Sequence, residues 1–169
     1  YFPNVFYDPW SANHIRVIEK EASAIRHGGL FALAMPRGSG KTAISTRAAL
    51  WAILYGYRRY VVLFGATEKM AGEIIDTIKK TIETNELIRA DFPEVCFPVE
   101  KLEGIVNRCK GQTHKGKRTY IEWGADHLVM PTIDGSACSG SVVALRSRVS
   151  ITTNAPIGCP CPSTSGAQA

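Results

Sequence analysis

The segment at residues 34–42, Ala-Met-Pro-Arg-Gly-Ser-Gly-Lys-Thr, constrains the fold of this chain more than any other. It follows the apolar run 30–35, which predicts a short buried strand, and leads into the apolar stretch 42–55, which predicts a long helix. A strand, a glycine-rich turn, a Lys-Thr pair and a helix, in this order, are typical of a phosphate-binding loop. Glycines let successive N–H groups converge on phosphate oxygens, and the helix N-terminus adds partial positive charge. The segment therefore predicts a site for a nucleoside triphosphate.

Individual loop residues have expected roles in holding a nucleotide. Lys41 is expected to reach the β and γ phosphates, and the Thr42 hydroxyl to bind Mg²⁺. The predicted nucleotide-contacting residues of the loop are Pro36, Arg37, Gly38, Ser39, Gly40, Lys41 and Thr42. Met35 replaces the first glycine of the usual pattern G-x-x-x-x-G-K-[ST], so the loop is a variant. The alternative interpretation is a glycine-rich turn that carries a Lys-Thr pair by chance.

The rest of the chain alternates between helical and strand-like patterns. Ser11 or Asp8 can begin a first helix, which ends at Gly28. The run 60–64 is apolar throughout, as in a parallel strand covered on both faces, and Thr67 begins a further helix. This order predicts an α/β fold with a mostly parallel sheet. Later segments are interpreted as a loop, a hairpin and one more strand, at 91–117, 120–130 and 142–145.

The composition is that of one globular domain, and it limits the partners and the cellular compartment that are expected for the protein. The chain has 169 residues, 45% hydrophobic and 21% charged, which is enough for a core. Its net charge of +5 permits a polyanionic partner without requiring one. The apolar runs are too short to span a bilayer, so no membrane association is expected. The five cysteines are odd in number and fit no zinc spacing, so reduced thiols in a cytoplasmic protein are expected.

The composition changes abruptly near the end of the chain. Residues 149–169 contain no Asp, Glu, Lys or Arg, but they include three prolines. This predicts a domain at 1–148 followed by an uncharged, disordered tail at 149–169. The chain begins with Tyr1 rather than Met, which suggests an internal or incomplete fragment.

The hydrolytic half of a triphosphatase is not visible in the sequence. Hydrolysis needs an Asp at the end of an apolar strand to anchor Mg²⁺, and a carboxylate that orients the attacking water. The strand-like run 142–145 leads instead to Arg146, and Val129-Met130 leads to Pro131. The sequence therefore predicts nucleotide binding with little or no hydrolysis.

Several segments together resemble the amino-terminal ATPase domain of tailed-phage terminase large subunits, the motors that package viral DNA. The segments that carry the resemblance are Pro9-Trp10-Ser11, Gly28 to Ala32, Met35 to Thr42, Val61 to Thr67, Asp91 to Glu94 and Tyr120 to Trp123. The resemblance extends to about residue 143. It implies an α/β P-loop NTPase three-layer sandwich with a mostly parallel sheet, incomplete here, and ATP with Mg²⁺ as ligands.

The same resemblance implies roles for residues in and near the loop. Arg37 and Lys41 would be the catalytic residues, with Arg37 sensing or stabilising the γ-phosphate, and Thr42 would bind Mg²⁺. Trp10 and His14 would lie near the adenine. From the residues alone, Trp10 can equally be a core aromatic and His14 a surface position on a helix.

The resemblance also implies partners and a missing continuation. The expected partners are double-stranded DNA, bound without sequence preference, the portal protein, the small terminase subunit and further copies in a ring, all in the host-cell cytoplasm. The family continues into an Asp-bearing strand with a catalytic Glu and then a nuclease domain. Because neither pattern follows Ala144, we expect a truncated or frameshifted chain. The basic stretch 110–118 can contact DNA phosphates or form a solvated loop.

Two other functions are compatible with the loop. A small-molecule or nucleoside kinase would share it but should carry an Arg-rich lid and an acid after the second strand. The residues in that place, Gly65-Ala66-Thr67, look more like the loop of a translocating ATPase. A non-catalytic nucleotide-binding remnant is the other alternative.

Overall fold

The computed structural model describes residues 1–147; the predicted tail at 149–169 lies outside the described part. The helices are α1 (Ala12–His27), α2 (Lys41–Leu54), α3 (Glu68–Thr84), α4 (Glu86–Asp91) and α5 (Pro93–Glu100), followed by a 3-10 turn (Val106–Cys109). The strands are β1 (Tyr60–Gly65), β2 (Thr113–His114), β3 (Lys117–Arg118), β4 (Glu122–Trp123), β5 (His127–Val129) and β6 (Val142–Ser147).

The main sheet is mixed rather than mostly parallel. Its strand order is β1-β6-β5-β4, and β1 runs parallel to β6 with Tyr60 opposite Val142 and Gly65 opposite Ser147. The pairs β5–β6 and β4–β5 are antiparallel. The α/β class is therefore confirmed, but the expected sheet is not. For β4 and β5, the physical reason is the short turn at 124–126, because a connection of this length can join only antiparallel strands.

The strand predicted at residues 30–35 does not form. This segment is an irregular extension in which Leu30 is fully exposed and Phe31 is 42% exposed. Within the described chain, residues 29–35 make no backbone-to-backbone hydrogen bond, because no strand lies alongside them. The prediction of a buried strand before the loop was wrong for this structure.

Helix α1 begins where the sequence indicates, but it buries only two residues. The Ser11 side chain accepts a hydrogen bond from the backbone N–H of His14, and Gly28 ends the helix with φ of 84°. The buried residues are Val17 and Glu21, whereas Ile15 and Ile18 are 46% and 36% exposed. An acidic side chain therefore points into the interior of the molecule.

Helix α3 forms the centre of the core. Thr67 caps it, and its buried face consists of Ala71, Ile75, Ile78 and Ile82. It packs against both β1 and β6, while α2 contacts α1, α3 and β1. Helix α2 is buried over much of its length, as its apolar sequence predicted.

The segment 91–117 is more ordered than its sequence suggested. Pro93 occupies the first turn of α5, where a missing N–H costs nothing, and the helix buries Val95, Cys96 and Val99. The prediction of a loop over 91–117 was wrong here, because the packing of α5 outweighs Pro98 in its interior. The hairpin of β4 and β5 and the strand β6 confirm the later predictions.

Three cysteines of the described part lie in the core as free thiols. They are Cys96, Cys109 and Cys138, and burial raises the pKa of Cys96 to about 11.

Among residues 1–147, no helix has both the length and the apolar character needed to cross a lipid bilayer.

Candidate functional site

The glycine-rich loop adopts the backbone that its sequence predicted. Gly38 and Gly40 have φ of 83° and 76°, a region that other residues avoid because of their Cβ atoms. A Cβ at either position would meet open space, so the backbone angle rather than crowding demands glycine. The turn closes with a hydrogen bond of 3.4 Å from the Ser39 N–H to the Pro36 carbonyl oxygen.

Helix α2 begins at the end of this loop with its N-terminus uncapped. Gly40 is the N-cap residue, and within the described chain no side chain caps the first turn, which also lacks acidic residues. The first N–H groups of a helix have no partner inside the helix and carry partial positive charge. This end of α2 can therefore accept an anion.

The Lys41 side chain folds back over the loop. Its ammonium donates hydrogen bonds to the carbonyl oxygens of Met35, at 2.7 Å, and Pro36, at 2.8 Å. Both acceptors are neutral carbonyls. A phosphate oxygen carries negative charge and therefore attracts the ammonium more strongly than a neutral carbonyl does, so a phosphate can replace these acceptors.

The remaining loop side chains are accessible in part. Arg37 and Thr42 are exposed, whereas Ser39 is half-buried and its hydroxyl oxygen has no hydrogen-bond partner among residues 1–147. Among those residues, no group of three or more His, Cys, Asp and Glu side chains could hold a metal ion. The Thr42 hydroxyl fits Mg²⁺ as a single protein ligand, because Mg²⁺ commonly keeps several waters and binds phosphate oxygens.

The structure places Trp10 and His14 beside the loop. His14 contacts the Ser39 carbonyl oxygen through Nε2 at 3.1 Å and the Ser11 hydroxyl through Nδ1 at 2.9 Å. The Trp10 ring lies edge-on to the His14 ring, with ring centroids 5.7 Å apart. The centroid of the Phe6 ring lies 4.7 Å from that of Trp10. Because the carbonyl oxygen can only accept, the neutral ring donates from Nε2 and accepts from Ser11. His14 thus links the start of α1 to the loop.

An apolar cavity of about 260 Å³ lies between α1 and α2, next to these aromatic residues. Its walls include Phe6, Trp10, Ile44 and Trp51, and its polar groups include Glu21 and Arg47. Sequence reasoning did not single out Glu21 or Arg47. No local sequence signal marked them, because the burial of Val17, one helical turn before Glu21, is itself visible only in the structure.

Three charged residues line this cavity, and burial affects two of them, Glu21 and Arg47. Glu21 is 8% exposed, and its Oε1 accepts a hydrogen bond of 2.5 Å from the Ser45 hydroxyl. Burial raises the pKa of Glu21, although the hydrogen bond from Ser45 opposes this shift. Burial likewise lowers the pKa of Arg47. Burial therefore removes part of the solvation that each group would have in water.

The basic stretch forms a small hairpin away from the loop. Strands β2 and β3 pair with Thr113 opposite Arg118. Lys117 forms an ion pair with Asp134, and the Arg118 guanidinium lies 5.3 Å from the centre of the Tyr120 ring. The hairpin thus combines exposed positive charge with one exposed aromatic ring.

Comparisons of the chain with protein families, curated proteins and solved structures give no match.

Proposed function

We propose that this chain is the ATP-binding part of a DNA-packaging motor ATPase of the terminase large-subunit type. The observation that supports the proposal is the loop itself. Gly38 and Gly40 take left-handed angles, the Lys41 ammonium lies over the loop, and α2 begins without a capping side chain. These are the features by which a phosphate loop holds a triphosphate.

Binding would proceed by exchange of ligands on Lys41. Phosphate oxygens replace the carbonyls of Met35 and Pro36, and the N–H groups at the start of α2 add further donors. Thr42 contributes its hydroxyl to Mg²⁺, and the exposed Arg37 is free to reach the γ-phosphate. In the proposed P-loop three-layer fold, residues 30–35 would become a strand once a neighbouring strand is present.

We further propose that this chain binds ATP but hydrolyses it poorly or not at all. The sequence offers no apolar strand ending in paired acids, so Mg²⁺ and the attacking water would lack their usual carboxylates. Steady ATP turnover by the 169-residue protein that disappears in Lys41→Ala would contradict this part of the proposal.

Reading the coding sequence near codon 144 in all three frames tests the frameshift independently. An apolar strand ending in Asp-Asp or Asp-Glu should appear in another frame.

The proposed partners follow from the resemblance and not from a described contact. Double-stranded DNA, the portal protein, the small terminase subunit and a ring of further copies are proposed, in the cytoplasm of the host cell. The hairpin of β2 and β3 offers exposed positive charge for DNA phosphates, which would make binding salt-dependent and independent of sequence.

The central experiment measures ATP affinity after removal of the loop ammonium. Lys41→Ala should weaken ATP binding more than tenfold, about 1.4 kcal/mol or more, because charge-assisted contacts to phosphate are lost. Isothermal titration calorimetry measures the affinity, and circular dichroism checks that the variant is folded. Lys80→Ala is a matched control, because Lys80 is an exposed lysine on a different helix, α3, and is not a residue of the loop. Equal affinities of Lys41→Ala and the wild type would rule out the assignment.

A further inference from the structure

A basic cleft of about 610 Å³ is lined by the hairpin of β2 and β3 and by the segment 132–134. The hairpin contributes Lys115, Lys117 and Arg118 to its lining, and the segment contributes Asp134. Asp134 forms an ion pair with Lys117. Lys115 and Arg118 are exposed and, within the described chain, form no ion pair. The cleft therefore has a surplus of positive charge, which suits an anionic partner.

The two sides of this cleft are tied to each other and to the core through Thr119, which is 1% exposed. The Thr132 N–H donates to the Thr119 carbonyl oxygen at 2.6 Å. The Thr119 hydroxyl donates to Gln112 Oε1 at 3.0 Å, and the Gln112 amide donates to the Pro98 carbonyl oxygen at 2.8 Å. Pro98 belongs to α5. These hydrogen bonds fix the position of the hairpin relative to the opposite side of the cleft.

Tyr120 presents an aromatic ring to the cleft from an unusual backbone conformation. Its φ is 49°, in the left-handed region that bulky residues rarely adopt. The residue is 61% exposed, so burial of the ring does not offset the strain of this backbone. The Arg118 guanidinium lies over the ring, 5.3 Å from its centre. Residues in such strained conformations cluster at sites that bind ligands.

The lining of a neighbouring cleft, of about 380 Å³, also includes Arg118 and Tyr120. That cleft adds Lys110, and its acidic residue Glu122 is hydrogen-bonded to His127 at 2.7 Å. The two clefts adjoin at Arg118 and Tyr120 and together form one surface, the basic groove, with lysines in both parts. A groove of this kind can follow a chain of phosphates on both sides of an aromatic ring.

We propose that the basic groove binds single-stranded DNA, with bases stacking on the Tyr120 ring and phosphates contacting Lys110, Lys115 and Arg118. A positively charged groove with an exposed aromatic ring is the arrangement by which proteins bind single strands without sequence preference. A duplex keeps its bases stacked on one another, so it offers no base to the ring. The choice of DNA over RNA rests on the proposed function, whereas the groove itself does not include the phosphate loop.

Two oligonucleotides test the stacking contact without changing the protein. Oligo(dT) of about 12 nucleotides and an abasic strand of the same length carry equal numbers of phosphates, but only the first carries bases. Fluorescence anisotropy with the 169-residue protein should show oligo(dT) binding about fivefold or more tightly, because each stacked base contributes about this factor or more. Equal binding of the two strands, or no binding of oligo(dT) up to about 100 μM, would overturn the proposal.

An RNA strand tests the choice of DNA. Oligo(U) of the same length should bind no more tightly than oligo(dT). Tighter binding of oligo(U) would reassign the groove to RNA and overturn the proposal as stated.

Variants then assign the preference to the ring. Tyr120→Asn removes the ring at a backbone angle that asparagine tolerates. It should weaken binding of oligo(dT) about fivefold or more and leave binding of a blunt duplex within about twofold. Tyr120→Phe should keep the affinity for oligo(dT), because stacking needs the ring and not the hydroxyl. Tyr60→Asn is a matched control, because Tyr60 is 62% exposed on β1 and lies outside both clefts.

Two results with these variants would contradict the stacking contact. One is an unchanged affinity for oligo(dT) in folded Tyr120→Asn. The other is an equal loss of affinity for oligo(dT) and for the duplex, which would show that the ring does not distinguish unpaired bases.

The salt dependence of binding tests the phosphate contacts. For single strands, the logarithm of the affinity falls with the logarithm of the salt concentration by about 0.7 for each neutralised phosphate. The double variant Lys110→Ala/Lys115→Ala should therefore reduce this slope by about 1.4. Lys80→Ala, on α3, should leave the slope unchanged. A slope that stays the same in the double variant would show that these lysines do not contact phosphates.

Lys41→Ala separates this proposal from the proposed function. Lys41 lies outside both clefts, so the variant should lose ATP affinity and keep its affinity for oligo(dT). If the wild type fails to bind ATP but prefers oligo(dT) to the abasic strand, the groove assignment stands and the loop assignment fails. If the wild type binds ATP and the two strands bind equally, the groove assignment fails and the loop assignment stands. Loss of oligo(dT) binding in folded Lys41→Ala would place the DNA strand in the loop and overturn the groove assignment.

Discussion

Two apolar runs of similar length have opposite structural outcomes in this protein. The run 30–35 precedes the glycine loop, and β1 follows helix α2. Strand β1 pairs with β6 over six residues, whereas residues 30–35 are an extended segment whose first residue, Leu30, is fully exposed. Hydrophobic character is present in both runs, so it does not explain the difference.

The difference lies in the availability of a partner. A strand satisfies its N–H and C=O groups on a neighbouring strand, which comes from a distant part of the chain. The neighbour of β1 is β6, about 80 residues later, as the pair Tyr60–Val142 shows. No described strand lies beside residues 30–35. An apolar run therefore predicts that a segment can be a strand, but the rest of the fold decides whether it is one.

The two runs nevertheless meet at one place. Phe31 and Val61 line a second cavity, of about 280 Å³, that also includes Glu21 and residues of α2. Glu21 thus lies between this cavity and the one next to Trp10.

The largest expected effect is the loss of the sheet around β6. Val143 is completely buried in this strand, so Val143→Asp would place an unpaired charge in the core and should cost at least about 4 kcal/mol of the free energy of unfolding. Urea denaturation should show a largely unfolded protein. The matched change Leu30→Asp, in the exposed run, should alter stability by only about 0.5 kcal/mol. A comparable loss in Leu30→Asp would show that residues 30–35 are packed in solution.

Hydrogen exchange should separate the runs without mutation. Residues 31–35 have no backbone acceptors in the described chain and should exchange close to the rate of an unstructured peptide. In β1, an edge strand, protection should alternate along the sequence, because every second N–H faces the free edge. The amides of β6 have strands on both sides and should be protected throughout the part that pairs with β5. Protection of 31–35 in the free protein would contradict the described geometry, whereas protection on addition of ATP would support a strand that forms with the ligand.

The smallest expected effect is a pH dependence from Glu21, which borders both cavities. Burial raises its pKa above the ordinary value of 4.5, so the native state binds this proton more tightly than the unfolded state. The resulting stability is present below the unfolded pKa and is lost as pH rises through the native pKa. In Glu21→Gln, the melting temperature should therefore fall less than in the wild type as the pH rises above 4.5. Glu19→Gln, at an exposed position, should leave the wild-type dependence unchanged.

Local signals in the sequence predicted many of the elements correctly. Ser11 and Thr67 cap their helices as expected, because a cap depends on residues three or four positions apart. The hairpin of β4 and β5 and the pairing of β1 with a parallel strand also follow the sequence pattern. Helix α5 was missed because two prolines within six residues weigh against a helix locally, and only its burial stabilises it.

The candidate site also combines features that neighbouring residues determine with features that depend on the tertiary structure. The sequence by itself determined the loop, because the angles of Gly38 and Gly40, the reach of Lys41 and the start of α2 depend on neighbouring residues only. The tertiary structure alone decided that Glu21 and Arg47 face one cavity, that His14 contacts Ser39, and that residues 30–35 have no strand beside them. Those features depend on how α1, α2 and the sheet pack. Packing brings together residues that are distant in sequence, and no local pattern encodes their separation in space.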